Sequence, residues 1–134
     1  MPAIQSDMPD TTERLLLEVA DALSATLDLD TSLRRVSELV RKVIDYQIFA
    51  ILLLNEKAQE LRVRFQVGYP REVAERLRVK VGKGVTGQAA QRREAVLVND
   101  VSTSTHYIDA VPHVRSELAV PLIVKNRVIG VIDI

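Results

Sequence analysis

The stretch Gly82-Lys83-Gly84-Val85-Thr86-Gly87 puts three glycines and a lysine ahead of a helix-like run. Glycine-rich turns that open helices let backbone N–H groups approach phosphates. The phosphate loop needs its lysine, followed by Ser or Thr, after the last glycine; here the lysine falls between glycines. The stretch reads as a structural turn, neither a phosphate-binding nor a dinucleotide-binding loop, whose N–H groups can still line a pocket for an anionic ligand. His106, Asp109 and His113 raise metal or haem ligation. Their spacing fits no regular site, so they read as solvent-exposed loop residues and no metal is expected. Asn99-Asp100 and Ser116-Glu117 are the polar pairs best suited to face a cavity, although Asp100 also suits an Asx-turn within its own loop. No Ser-His-Asp set, catalytic carboxylate pair or metal-hydrolase cluster assembles from the sequence.

The 134 residues include no cysteine. That excludes disulfides, thiolate nucleophiles, cysteine-ligated metals and thioether-attached cofactors, and it fits a reducing compartment. Eighteen Lys plus Arg balance eighteen Asp plus Glu, so no basic face for nucleic acid or an anionic membrane is expected. Arg34-Arg35 and Arg92-Arg93 read as solvated helix faces. The opening MPAIQSDMPD lacks the basic and apolar regions of a signal peptide, and no apolar run approaches the roughly 18 residues that span a bilayer. A soluble, cytoplasmic chain with one domain is expected.

The elements that must position the polar groups follow from periodicity. Residues 1–10, with two prolines, read as a mobile lead-in. Asp10 and Glu13 resemble a capping box, and Leu16, Val19, Leu23 and Thr26 recur at helical spacing, which predicts a helix over about 11–27. "DLDTS" is expected to break it, with Asp30 or Thr31 capping a second helix that carries Leu33, Val36, Leu39, Val40 and Val43 on one face. "IFAILLL" at 48–54 reads as an interior strand, and the alternating "LRVRFQV" at 61–67 as its antiparallel partner. A helical turn follows Pro70, a helix follows the glycine stretch, and a short strand covers 95–98. A final hairpin turns at the polar stretch Lys125-Asn126-Arg127. Tight turns exclude parallel neighbours, so the fold class is α+β with an antiparallel sheet flanked by helices. Pro121 strains the penultimate strand, since it removes a ladder donor, and Gly130 implies a bulge or close backbone approach.

The order "VGKGVTGQAAQRREAVLVNDV…RSELAVPLIVKNRVIGVIDI" resembles a GAF domain, a sensory module of bacterial signalling proteins. The resemblance runs from the first helix to Ile134. It rests on Gly82 to Gly87, Asn99-Asp100, Arg115-Ser116, Val120-Pro121-Leu122 and Ile129-Gly130-Val131. It implies a GAF/PAS-like (profilin-like) sheet and a domain over 11–134 that lacks the family's last helix, so that the chain is the N-terminal part of a longer protein. It also implies a ligand cavity between the sheet and segments 84–88 and 100–117, which implicates Gly84, Gly87, Asp100, Tyr107 and Ser116. Helix contacts between family members imply a homodimer through Leu16, Val19 and Leu23.

Bilin-binding members and the methionine-sulfoxide-reducing enzymes of this fold use cysteines, and neither is expected here. The Asn-Lys-Phe-Asp-Glu signature of the cyclic-nucleotide type is also missing. The resulting expectation is a non-catalytic domain that binds an unidentified small molecule and controls an absent C-terminal effector such as a histidine kinase, diguanylate cyclase or serine phosphatase. No cofactor is assigned. The alternatives are a ligand-free dimerisation scaffold, in which Ile108, Val111 and Val114 fill the cavity, and, behind it, cyclic-nucleotide binding or an enzyme.

Overall fold

The computed structural model describes residues 11–101 and 115–134, without the side chains of residues 22–27. His106, Tyr107, Ile108, Asp109, Val111, His113 and Val114 lie outside the described residues, as do the side chain of Leu23 and the lead-in 1–10. By internal contacts the chain divides after Val36 into two units.

Helix α1 is continuous over Thr11–Arg41, which corrects the expected break at 28–32. The reason is in the composition. No glycine or proline occurs between Thr11 and Arg41, so no residue removes a helical donor or demands a left-handed backbone. Asp28, Asp30, Thr31 and Ser32 are each only a few tenths of a kcal/mol poorer than Ala in a helix interior. In the first unit Leu15, Leu16, Leu17 and Val19 are 47–63% exposed.

The second unit begins with the last turn of α1. The Tyr46 hydroxyl donates to the Ser37 carbonyl at 3.0 Å, and the Arg41 guanidinium lies 4.0 Å from the Tyr46 ring centroid. Tyr46 packs on Phe49, which meets Phe65 edge-on at 6.4 Å. This aromatic corner anchors the start of the sheet and lets the first strand be buried from its first residue.

Strands β1 (Phe49–Asn55) and β2 (Glu60–Val67) form the first hairpin. Helix α2 (Arg71–Arg76), strand β3 (Arg78–Lys80), helix α3 (Gly84–Arg92) and strand β4 (Val96–Val98) follow. Strands β5 (Glu117–Val124) and β6 (Arg127–Asp133) close the chain. The six strands are ordered β3-β2-β1-β6-β5-β4, every pair antiparallel. The α+β expectation therefore holds. Strand β3 is an addition: its three residues are too short for alternation to show, and pairing with β2 creates it.

The β5–β6 turn has both central residues left-handed, Lys125 at φ 50° and Asn126 at 66°, the twist that two-residue hairpins favour. Pro121 sits past the end of β4, which pairs only with Glu117–Ala119, so that flank of β5 is an edge there and loses no ladder bond. The register shifts next to it, between Leu122 and Ile123. Gly130 lies opposite Leu53, and a Cβ there would stand 2.2 Å from the Leu52 carbonyl oxygen. The expected close approach is what the strand contains.

One sheet face packs on α3. Leu52, Leu61, Val79, Val131, Ala50 and Ala119 are buried against Val85, Ala89 and Ala90. Small residues on both surfaces bring the helix close to the strands, which sets the site described next.

Candidate functional site

Asp133 is the charged side chain among the buried described residues. It ends β6, with Ala50 of β1 and Ala119 of β5 as its cross-strand neighbours. Two alanines flanking a longer side chain leave space above it. Glu117 lies two residues before Ala119 on β5 and therefore on the same face, within hydrogen-bonding reach of Asp133. Tyr69 arrives from the turn after β2: Gly68 is left-handed, and the Tyr69 N–H donates to Gln66 Oε1 at 2.9 Å. That turn sets the Tyr69 hydroxyl 3.5 Å from Asp133 Oδ2.

The α3 side is built by the glycine stretch. Gly84, at φ 63°, starts the helix, and a Cβ on Gly87 would stand 2.4 Å from the Lys80 carbonyl oxygen. Glycine at 87 thus lets the first turn of α3 press on β3. The Gly82 N–H bonds the Gly87 carbonyl, and Gln88 Nε2 donates to the Gly82 carbonyl, so the loop is closed on itself. The six residues spell G-x-G-x-x-G, but they follow a three-residue antiparallel edge strand and open no βαβ unit, the context dinucleotide binding requires. The structural-turn reading stands on that context.

Between α3 and the sheet a narrow cavity of about 20 Å³ is lined by Tyr69, Gly84, Val85, Thr86 and Asp133, with Leu52, Leu77 and Val79 as apolar walls. It has room for one water-sized group. Asp133 is 6% exposed, and its Oδ1 has no hydrogen-bond donor among the described residues. Burial pushes the Asp133 carboxyl well above its ordinary value, the Glu117 carboxyl raises it further, and the Tyr69 hydroxyl works weakly in the opposite direction. Burial also raises Glu117, partly offset by its hydrogen bond to Asp133. Two adjacent carboxyls in such surroundings cannot both ionise cheaply, so burial and the neighbouring charge both favour a protonated form of the pair, and a protonated carboxyl is a hydrogen-bond donor.

Of the residues implicated from sequence, Gly84 and Gly87 are buried in the α3 turn, and Gly84 lines the cavity. Asp100 and Ser116 are exposed. They are brought near each other because the Val101 N–H bonds the Arg115 carbonyl at 2.7 Å. Sequence reading missed Asp133, Tyr69 and Thr86. Asp133 sits in a run that reads as an apolar strand, and the available signal was its alternation: two residues beyond Val131, it must face the core. Among the described residues no group of three or more His, Asp or Glu converges as a metal site. No helix among them is long and apolar enough to cross a membrane.

A profile of the GAF domain family matches residues 26–134. The chain belongs to the GAF domain family. A GAF domain from the Acinetobacter phosphoenolpyruvate-protein phosphotransferase shares the fold at 24% identity, covering 70% of this chain and 56% of that one with TM-score 0.61. The Neisseria meningitidis free methionine-R-sulfoxide reductase, solved in complex with its substrate, is 25% identical. It covers 99% of this chain and 79% of that one with TM-score 0.70. The free methionine-R-sulfoxide reductase of Escherichia coli K12 is 40% identical over 58 residues, 43% of this chain. That match spans only 35% of the curated relative's length.

These likenesses overturn two expectations, that this GAF domain is a non-catalytic sensor and that it has no enzymatic role. The relatives it resembles include enzymes. The earlier exclusion rested on the missing thiol. A missing thiol bears on where electrons come from, not on the fold.

Proposed function

We propose that this GAF domain binds a small sulfoxide of the free methionine-R-sulfoxide type at the Glu117–Asp133 pair and takes part in its reduction by thiols supplied from outside these 134 residues. The observation that carries the reading is the buried Asp133 carboxyl, set beside Glu117 and the Tyr69 hydroxyl at the end of an apolar cavity. A sulfoxide oxygen accepts hydrogen bonds and donates none, so its site needs a donor held in dry surroundings. A carboxyl kept protonated by burial is such a donor and a suitable general acid. The remaining negative charge of the pair suits the ammonium of a free amino acid. The cavity admits a group the size of the sulfoxide oxygen.

Net reduction converts one sulfoxide and two thiols into a thioether, a disulfide and water. The sulfur gains two electrons, the S–O bond breaks, and the oxygen leaves with two protons, one of them delivered through the carboxyl pair. With no cysteine among these 134 residues, both thiols belong to a low-molecular-weight thiol or to protein cysteines outside them.

The test is to supply the R and S epimers of methionine sulfoxide with dithiothreitol and to quantify methionine, alongside calorimetric binding. Turnover or binding of the R epimer, lost in Asp133→Asn, is the expected result. Neither turnover nor binding of either epimer refutes the reading. We further propose that the exposed Leu15, Leu16 and Val19 of α1 pair with the same helix of a second copy, since a helix draws most of its stability from packing an apolar face. Light scattering should give a dimer for the native chain and a monomer for a variant with Leu16 and Val19 changed to Glu; a monomeric native chain refutes it.

A further inference from the structure

We propose that the trough at the opposite end of the sheet docks an acidic peptide segment of a partner protein that also carries aliphatic side chains. The trough lies at the β1–β2 and β5–β6 turns, about 20 Å along β6 from Asp133 at roughly 3.3 Å per residue. It consists of two adjoining hollows of about 530 Å³ and 470 Å³ that share Leu54, Glu56, Arg127 and Val128. Leu54, Val81, Ala90 and Val128 form an apolar floor continuous with the core. Lys57, Arg93, Lys125 and Arg127 line it against the single carboxylate of Glu56, which pairs with Arg127. An excess of three positive charges is therefore concentrated here on a chain whose formal net charge is zero.

Arg93 gives the site its directionality. It caps α3 with a left-handed backbone, φ 61°, at a position where glycine is usual. A non-glycine residue there is strained, and such strain is concentrated at functional positions. Its Nη2 donates to both the carbonyl and Oδ1 of Asn126, at 2.8 and 2.9 Å, which fixes the guanidinium across the trough. Nε and Nη1 make no hydrogen bond among the described residues. A planar fork held in place with donors to spare suits a carboxylate, and prior immobilisation lowers the entropy lost on binding. The apolar floor favours a peptide over a free inorganic anion, which would leave that floor uncovered.

The experiment uses the whole chain, isotope-labelled for NMR. The probe is a library of short, end-capped peptides in which Asp or Glu alternates with Leu or Val. Acidic peptides should shift the amides of Leu54, Val81, Arg93 and Val128 and bind more weakly as salt rises. Arg93→Gly should weaken binding about tenfold with little change in melting temperature, because glycine suits the left-handed cap while the two bonds to Asn126 are lost. A loss of binding in a variant that keeps the native amide spectrum away from the trough cannot be a folding failure. Lys57→Glu, at an exposed turn, gives a second readout in the same direction. The proposal is overturned if no library peptide shifts these amides, if Lys-for-acid peptides bind equally well, if phosphate alone reproduces the shifts, or if both variants bind like the native chain.

Discussion

Asp133→Asn probes the electrostatics on which the proposed chemistry depends. The native carboxyl is 6% exposed, has an undonated Oδ1 among the described residues, and faces Glu117. Leaving a buried polar group without its hydrogen bond costs about 1–3 kcal/mol in proteins. Asn keeps the shape, removes the charge and offers an N–H to Glu117. The unfolding free energy at pH 8 should therefore rise by about 1–3 kcal/mol, or about 4 °C in melting temperature for each kcal/mol in a chain of this size. Because burial raises both carboxyls above their unfolded values, the native state holds more protons than the unfolded chain above about pH 4. Stability from the pair is complete below that pH and is lost as pH rises through the folded-state values. The gain from Asn should accordingly be large at pH 8 and small at pH 4. Urea unfolding followed by circular dichroism measures both. A gap equal at the two pH values, or an Asn variant less stable at pH 8, would refute the account of a strained, proton-sharing pair.

Tyr69→Phe removes the hydrogen bond that lowers Asp133, so the pH dependence of sulfoxide binding should move to higher pH; an unmoved profile would detach Tyr69 from the pair. Gly130→Ala places a Cβ against the Leu52 carbonyl and should cost about 3 kcal/mol or more in a urea titration, against the near-neutral change expected if the strand could shift. Asn126→Ala puts a poorer residue at φ 66° and deletes one acceptor of Arg93, for a loss of about 1 kcal/mol with the fold intact by NMR.

The α+β class, both hairpins and the helix after the glycine stretch were legible in the sequence because each follows from local rules: alternation, turn residues and helical spacing. The break expected at "DLDTS" was not there, since poor helix formers only weaken a helix that no proline or glycine interrupts. Arg93 read as one of a pair on a solvated face, and no local rule shows that it caps α3 in a left-handed conformation with its guanidinium bonded to Asn126, 33 residues away.

The same division holds at the site. Local pattern was enough to place Gly84 and Gly87 in a tight turn before a helix, and to establish that no thiol, disulfide or cysteine-bound metal arises within the chain. Asp133 and Glu117 are ordinary acids in sequence, sixteen residues apart and on different strands. Only the β5–β6 register, with alanine on either side of Asp133 and α3 pressed close by Gly87, puts them together where water is scarce. Desolvation and like-charge proximity are properties of that packing, and it is they that turn two common side chains into a pair able to hold a proton.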